Sequence, residues 1–312
     1  MTSNSEVFAI ALSKCEQGAI LYKFSKLFNK LDQLIGSIGH ARGSFYSPIP
    51  SLEEVRNDKA WIFDRTKREL GGIELNQEEQ VKLLDELKQF YAQQPFSDEP
   101  TAGFRYYFKN VFFSYSDALF LYSMIRYAKP KRIIEIGSGY SSFVMLDTNE
   151  RFFDNSIRLT FIEPYPDRLR SRLKETDFKA VDLLAKRVQD VELERFSELV
   201  AGDILFVDSS HVSKVGSDVN HILFEILPRL AKGVFVHFHD IFYPFEYPDD
   251  WILKRRWFWN EAYILRSFLQ YNSAFKVRVW NNYLGKFYPE KLEESMPLAI
   301  KNLGGSIWLE RV

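Results

Sequence analysis

Four short apolar runs, Arg132–Ile136, Leu159–Glu163, Ile204–Asp208 and Val234–His239, punctuate the second half of the chain. Each ends at a polar residue or a glycine, and stretches with helical spacing, notably Asp167–Leu173 and Val219–Leu230, lie between them. Strands that alternate with helices build parallel βαβ units. Strands that are apolar throughout belong to a sheet covered on both faces. Phe275–Trp280 and Ser306–Arg311 alternate as strands, separated by a segment that can reverse direction, and predict an antiparallel C-terminal edge. The expected fold is α/β with a mostly parallel central sheet. The expected division is a main domain over 105–312 and an N-terminal helical extension or cap over 1–104.

The extension reads as helices. Apolar residues recur at helical spacing over 6–38, from Phe8 to Ile35, until Gly36 and Gly39 end the pattern. This amphipathic stretch suits packing or homo-oligomer formation better than a membrane surface, since its charges are mixed in sign. Residues 43–60 are loop-like, 75–95 predict a surface helix rich in Glu, Gln and Lys, and Ser114 or Ser116 is placed to cap a helix running to Tyr127 before Pro130.

Composition narrows the partners. The formal net charge of −1 offers no basic excess for phosphates, which disfavours a nucleic-acid substrate. No apolar run approaches the roughly 20 residues that span a bilayer. The single Cys, Cys15, rules out an intrachain disulfide or a multi-Cys zinc site and points to a reducing, cytoplasmic location. The residues before the first apolar stretch carry no positive charge and do not read as a secretory signal. Aromatic residues make up 16% of the chain, enough to supply both core volume and the walls of a small-molecule cleft.

The residues that carry chemistry cluster at the ends of the predicted strands. Glu135-Ile136-Gly137-Ser138-Gly139-Tyr140-Ser141-Ser142 runs from a strand into a glycine-rich turn. Gly137 and Gly139 permit positive φ and leave room for a ligand, and a helix starting near Ser141 points N–H groups at an anion. Ser142 stands where a dinucleotide fingerprint needs its third glycine, and Glu135 is unlike an apolar NAD-binding strand. Glu163 ends the next strand, where a carboxylate accepts both hydroxyl hydrogens of a ribose; alone it is as readily a solvated strand end. Arg187–Val191 falls near the third strand, with Gln189 and Asp190 in reach of a base. Two further strand ends carry Asp208 with His211 and His239 with Asp240. Three of the five histidines, His211, His237 and His239, lie in these two segments. Such a set can deprotonate a hydroxyl or bind a divalent ion; its bland alternative is a cap on the strand and a brace for the following loop. The aromatic tract Phe242–Trp259, with Tyr243, Phe245, Tyr247, Trp251, Trp257 and Trp259, is placed to wall an acceptor pocket or to pack on the sheet edge.

Taken in order, the motifs EIGSGYSS, FIEP, VQD and VDSSH resemble those of the class I S-adenosylmethionine-dependent methyltransferases. The stretches FYSPIP, FFSYSDA, DILFVDSSHVSKVGSDVN and HFHDIFYPFEYP are similar to those of a bacterial subfamily of the methyltransferase-24 type, over roughly residues 45–312. The resemblance implies a Rossmann-like methyltransferase fold and S-adenosylmethionine as cofactor. It also implies methyl transfer to a small-molecule acceptor, such as a sugar or natural-product hydroxyl. It sets Glu135, Gly137, Ser138, Gly139 and Ser141 around the methionine portion, Glu163 on the ribose, Gln189 and Asp190 by the adenine, and Asp208 near the methionine amino group or the transfer site. Asp208, His211, His239 and Asp240 become the catalytic candidates, with a histidine as base. Related metal-dependent O-methyltransferases have Asp at the position of Asp208 and Asp-Asp or Asp-Asn at that of His239-Asp240. Asp208, His239 and Asp240 are therefore the candidate ligands of a divalent metal, and His239 is a departure from the pattern. The rival readings are a nicotinamide-dependent oxidoreductase and a non-catalytic cofactor-binding scaffold.

Overall fold

The computed structural model describes residues 39–312 except Arg68, together with Lys26, Leu27, Lys30 and Leu31, which are helical. The rest of the helix expected over 6–38 lies outside the described residues. The described residues fall into two compact units, one of those up to Phe63 with Asp250–Phe258, the other of Asp64–Asp249 with Trp259–Val312. In the smaller unit α1 (Leu52–Asn57) starts at Ser51, whose Oγ accepts the Glu54 N–H at 3.3 Å, and Glu53 and Glu54 in the first turn complement the helix dipole. A second short helix, α2 (Lys59–Ile62), follows it.

The larger unit is built on a seven-stranded sheet: β1 (Arg132–Ile136), β2 (Arg158–Ile162), β3 (Val181–Leu184), β4 (Ile204–Val207), β5 (Phe235–Phe238), β6 (Phe275–Trp280) and β7 (Ile307–Arg311). Its order is β3-β2-β1-β4-β5-β7-β6. The first five strands are parallel, and β7 runs antiparallel to both β5 and β6. This is the Rossmann-like methyltransferase topology. The reversed strand β7 lies one place in from the edge, which β6 occupies. Every residue of β4 and β5 is buried, as continuous apolar strands require.

Helices cover the sheet. α3 (Gln77–Tyr91) is the helix expected over 75–95, but it is more than a surface helix. Leu83, Leu84 and Leu87 are buried in the main core, and buried Gln80 accepts the Trp280 N–H at 2.8 Å while donating to the Leu75 carbonyl at 2.6 Å. α4 (Tyr115–Ala128) buries every residue from Ser116 to Ile125. Ser114 stands at its N-cap position without making the cap; its Oγ accepts from Asn302 Nδ2 at 2.7 Å instead. α5 (Tyr140–Phe152) follows the glycine turn. The helix expected over Val219–Leu230 begins at Asp218, one residue after its Ser217 cap. It widens into a π turn over Ile222–Ile226 and closes as a 3₁₀ turn containing Pro228, which has no N–H to continue the ladder. The Asp167–Leu173 helix reaches only Arg170.

The register aligns the functional ends. Ile136 lies beside Ile162 and Val207, and Val207 beside Phe238. One residue further on, Glu163 N bonds Leu184 O at 3.1 Å, Gly137 N bonds Ile162 O, Asp208 N bonds Ile136 O and His239 N bonds Val207 O, the last three at 2.9 Å. Glu163, Gly137, Asp208 and His239 therefore form a row across the carboxyl edge of the parallel strands, where open α/β sheets bind ligands.

Candidate active site

At the glycine turn, Gly137 adopts φ +85°, and a Cβ there would stand 1.8 Å from the Asp208 carbonyl oxygen. The glycine is required by the protein's own backbone, not by ligand space as the sequence suggested. Gly139 differs: its φ of −166° is extended backbone open to any residue. Its N–H donates to Ser142 Oγ at 3.0 Å. Glu135 is fully buried beneath the turn and accepts from the hydroxyls of Ser141, at 2.5 Å, and Ser142. Burial pushes its carboxyl up to about 8, against the pull of the two hydroxyls. Glu135 and Ser141 thus tie β1 to the first turn of α5 and face each other, not the cleft.

A cleft of about 520 Å³ opens above the row; Gly137, Glu163, Gln189, Asp208 and Ser209 are among its lining residues. Glu163 is held by backbone: Oε2 accepts the Ser138 N–H at 3.1 Å and Oε1 the Tyr165 N–H at 2.8 Å. Gln189 donates to the Gly216 carbonyl at 2.8 Å. Val188–Asp190 is a single 3₁₀ turn just beyond β3, near the third strand as expected. Asp182 and the intermediate burial of all four β3 residues hid that edge strand. Asp190 is not among the cleft's lining residues but pairs with Arg187, which is, at 2.7 and 2.8 Å, and these hydrogen bonds hold its carboxyl below the usual range. The Oγ atoms of Ser138 and Ser209 are buried without a protein partner.

Beside the cleft lies a set of buried imidazoles and of carboxylates, of which Asp208 and Asp240 are partly exposed. β5 ends at Phe238, and Asp240 takes a left-handed φ of +57°, which brings its carboxylate to the side of His239 and His211. His211 is left-handed too, at φ +59°; such strain at non-glycine residues gathers at functional sites. His211 Nδ1 meets Glu261 Oε2 at 2.8 Å, and its Nε2 lies 3.4 Å from Asp208 Oδ1 and 3.7 Å from Asp240 Oδ2. His239 Nε2 lies 3.6 Å from Asp240 Oδ1, while its Nδ1 is buried without a partner. Burial opposes the charged form of both imidazoles. The surrounding acids outweigh it, raising His211 well above its ordinary value and His239 above it as well. Burial raises Asp240 and Glu261, whereas at Asp208 the imidazoles win over burial and lower it. His237 is apart from this set: it stacks on Phe206 at 3.8 Å and bonds Ser306 Oγ at 2.9 Å, and burial holds it well below its ordinary value.

These shifts set a pH dependence. An imidazole raised on folding contributes stability that is fully present below about pH 6.5 and is lost as pH rises through the raised value. The raised carboxyls of Asp240 and Glu261 act in the same sense. The melting temperature is expected to fall as pH is taken from 6.5 to 9 in a thermal-shift series, with a smaller fall in His211→Asn. A flat profile for the wild type counts against the charged cluster.

A family model described as a methyltransferase domain matches residues 134–241. An uncharacterised protein of Archaeoglobus fulgidus is 38% identical over 173 residues, 54% of this chain and 77% of the relative. The chain belongs to the class I S-adenosylmethionine-dependent methyltransferases. Among solved structures, the O-methyltransferase TomG from Streptomyces achromogenes, involved in tomaymycin synthesis and crystallised with SAM, is similar at a TM-score of 0.41 and 14% identity, over 83% of this chain and 96% of that one. The SAH-bound methyltransferase PaMTH1 of Podospora anserina is similar at a TM-score of 0.40 and 17% identity, over 85% and 99%.

Sequence reading passed over several residues that hold this set and the loop beside it. Among the described helices α6 (Asp167–Arg170), α7 (Glu194–Ser197) and α8 (Asp218–His221) precede α9 (Glu261–Leu269), which Glu261 opens, reading simply as a first-turn acid. Its N–H and that of Asn260 both reach the His211 carbonyl at 3.1 Å. Arg65 donates to the carbonyls of Tyr243 at 2.8 Å and Glu246 at 3.0 Å, pinning the loop after Asp240. The aromatic tract divides: Tyr243 and Phe245 pack on Trp280 at 5.2 and 4.6 Å as core, and Trp259 lies 4.4 Å from the His211 ring. Trp251 and Trp257 belong to the smaller unit and contact each other.

Proposed function

We propose that this methyltransferase moves a methyl group from S-adenosylmethionine to a hydroxyl of a small molecule, such as a sugar or natural product. The observation that carries the reading is the continuous row Glu163–Gly137–Asp208–His239, with an open cleft on one side and the His–carboxylate set on the other. We assign this work to residues 105–312, with 1–104 as the extension that supports it.

The residues fit the cofactor. The cleft volume lies in the range of small-molecule sites, roughly 300–1,000 Å³. Glu163 uses one backbone N–H per oxygen, and each oxygen has a further lone pair for a diol. The orphaned hydroxyls of Ser138 and Ser209 supply donors at the turn, and Gln189 borders the far end. Bound there, S-adenosylmethionine supplies an electrophilic methyl on a sulfonium centre.

The chain's own part is to place the acceptor and receive its proton. Asp208 lines the cleft and faces the His–carboxylate set, so it lies on both sides of the transfer point. Between the two candidate bases the geometry favours His239. Both nitrogens of His211 face carboxylates, whereas His239 Nδ1 has no partner. The candidate metal ligands Asp208, His239 and Asp240 do not fit an ion: among the described residues no three His, Cys, Asp or Glu side chains are arranged to hold one. No step is routed through a metal.

Calorimetry with S-adenosylhomocysteine and with NAD tests the reading, with binding expected only for the first. Glu163→Ala is expected to weaken that binding about tenfold to a hundredfold, the equivalent of about 1.5–3 kcal/mol for hydrogen bonds to a charged group. Unchanged affinity in the variant would remove Glu163 from the ribose, and tight NAD binding would replace the function altogether.

A further inference from the structure

Asp208 and Asp240 end neighbouring parallel strands, the two places from which the metal-dependent O-methyltransferases that the sequence resembles present acidic residues to a divalent ion. Here both carboxylates turn to one side chain. His211 Nε2 lies 3.4 Å from Asp208 Oδ1 and 3.7 Å from Asp240 Oδ2. Both distances lie within ion-pair range. The other oxygen of Asp240 faces the second imidazole, His239 Nε2, at 3.6 Å.

The ring of His211 is fixed in that position from several directions. Glu261, only 1% exposed, grips Nδ1 at 2.8 Å. The backbone N–H groups of Asn260 and Glu261 hold the His211 carbonyl, and the Trp259 ring lies against the imidazole at 4.4 Å. Asn260 adds a second clamp two residues on, its Oδ1 taking the Ser213 N–H at 2.6 Å and its Nδ2 reaching the Ser213 carbonyl at 3.1 Å. A side chain held at the ring, the carbonyl and the following turn does not swing aside to admit an ion without breaking those contacts. Glu261, Asn260 and Trp259 all lie beyond the 134–241 stretch that defines the family match.

We propose that His211, anchored by Glu261, takes the place between Asp208 and Asp240 that a divalent ion takes in the related O-methyltransferases, so that the transfer site is complete without metal. The inference builds on the proposed methyl transfer, but its test does not depend on it. An imidazole nitrogen that faces two carboxylates fills the ion's place and is fixed there by its other contacts. Removing the ring leaves Asp208 and Asp240 facing a space lined by oxygen, the donor set that suits Mn²⁺ or Mg²⁺.

The full chain is titrated with Mn²⁺ by electron paramagnetic resonance, with and without S-adenosylhomocysteine. The wild type is expected to bind no stoichiometric Mn²⁺ at this site. His211→Ala, and His211→Asn should the first variant fail to fold, are expected to gain at least tenfold in Mn²⁺ affinity, and Asp208→Asn added to either should abolish the gain. One tightly bound Mn²⁺ per wild-type chain, lost in Asp208→Asn, would overturn the proposal, as would a folded His211 variant with no gain. Binding of S-adenosylhomocysteine in the same samples reports separately on the methyltransferase reading.

Discussion

Gly137→Ala is expected to yield no folded protein. The residue sits at φ +85°, where an L side chain costs roughly 1–2 kcal/mol by conformation alone. The larger effect is overlap, because the new Cβ would lie 1.8 Å from the Asp208 carbonyl oxygen and 2.7 Å from its carbon. Both partners are backbone, and both are held in the ladder by Gly137 N to Ile162 O and Asp208 N to Ile136 O. Relief therefore requires parting β1 from β4 at the centre of the sheet. That places the variant among the rare substitutions costing more than about 4–5 kcal/mol, comparable to the whole stability of many domains. Soluble yield and far-ultraviolet circular dichroism measure the outcome. Gly139→Ala is the control: its backbone is extended and its Cβ would meet only Arg168 Nη1 at 3.7 Å, so the fold should survive. A Gly137→Ala protein with native dichroism and melting temperature would show that the turn moves freely.

His239→Ala is expected to cut turnover by about 100-fold or more, the usual weight of a positioned acid or base, while leaving affinity for S-adenosylhomocysteine near that of the wild type. The structural alternative, a brace for the loop beginning at Ile241, requires the imidazole to hold something. Its Nδ1 holds nothing, and its Nε2 meets only the neighbouring Asp240, at 3.6 Å. The loop is held elsewhere, by the Ile241 N–H on Gly305 O at 2.8 Å and by Arg65 on Tyr243 and Glu246. The discriminating measurement is single-turnover methyl transfer beside a thermal melt. A large fall in melting temperature with normal turnover in the surviving protein would return His239 to a structural role.

The sheet was legible in the sequence wherever a strand is mostly apolar and almost wholly buried, as in β1, β2, β4 and β5. It was less legible at β3, where Asp182 interrupts the run and the strand is only partly buried. The row of strand-end residues could be read because each follows an apolar run directly. Distance along the chain hid the rest. Glu261 lies 50 residues from His211, and Arg65 lies 178 residues from Tyr243; neither sits in a pattern with its partner. For Glu135 and Gly137 the limit is of another kind. Spacing locates a turn but does not say whether ligand or protein backbone fills the space beside it.

The placement of β7 between β5 and β6 has a consequence for synthesis on the ribosome. β6 emerges before β7, yet its ladder is made with β7, and the outer edge of β5 stays open from residue 238 until residue 307 has been made. For that interval the growing chain carries two bare strand edges, the kind of surface that captures other nascent chains. Lys276 and Arg278 alternate with Phe275, Val277 and Val279 along β6. In the finished protein they pair with Glu79 and Glu310. Until Glu310 is made Arg278 lacks that partner, a charge of the kind that discourages edge-to-edge pairing of strands.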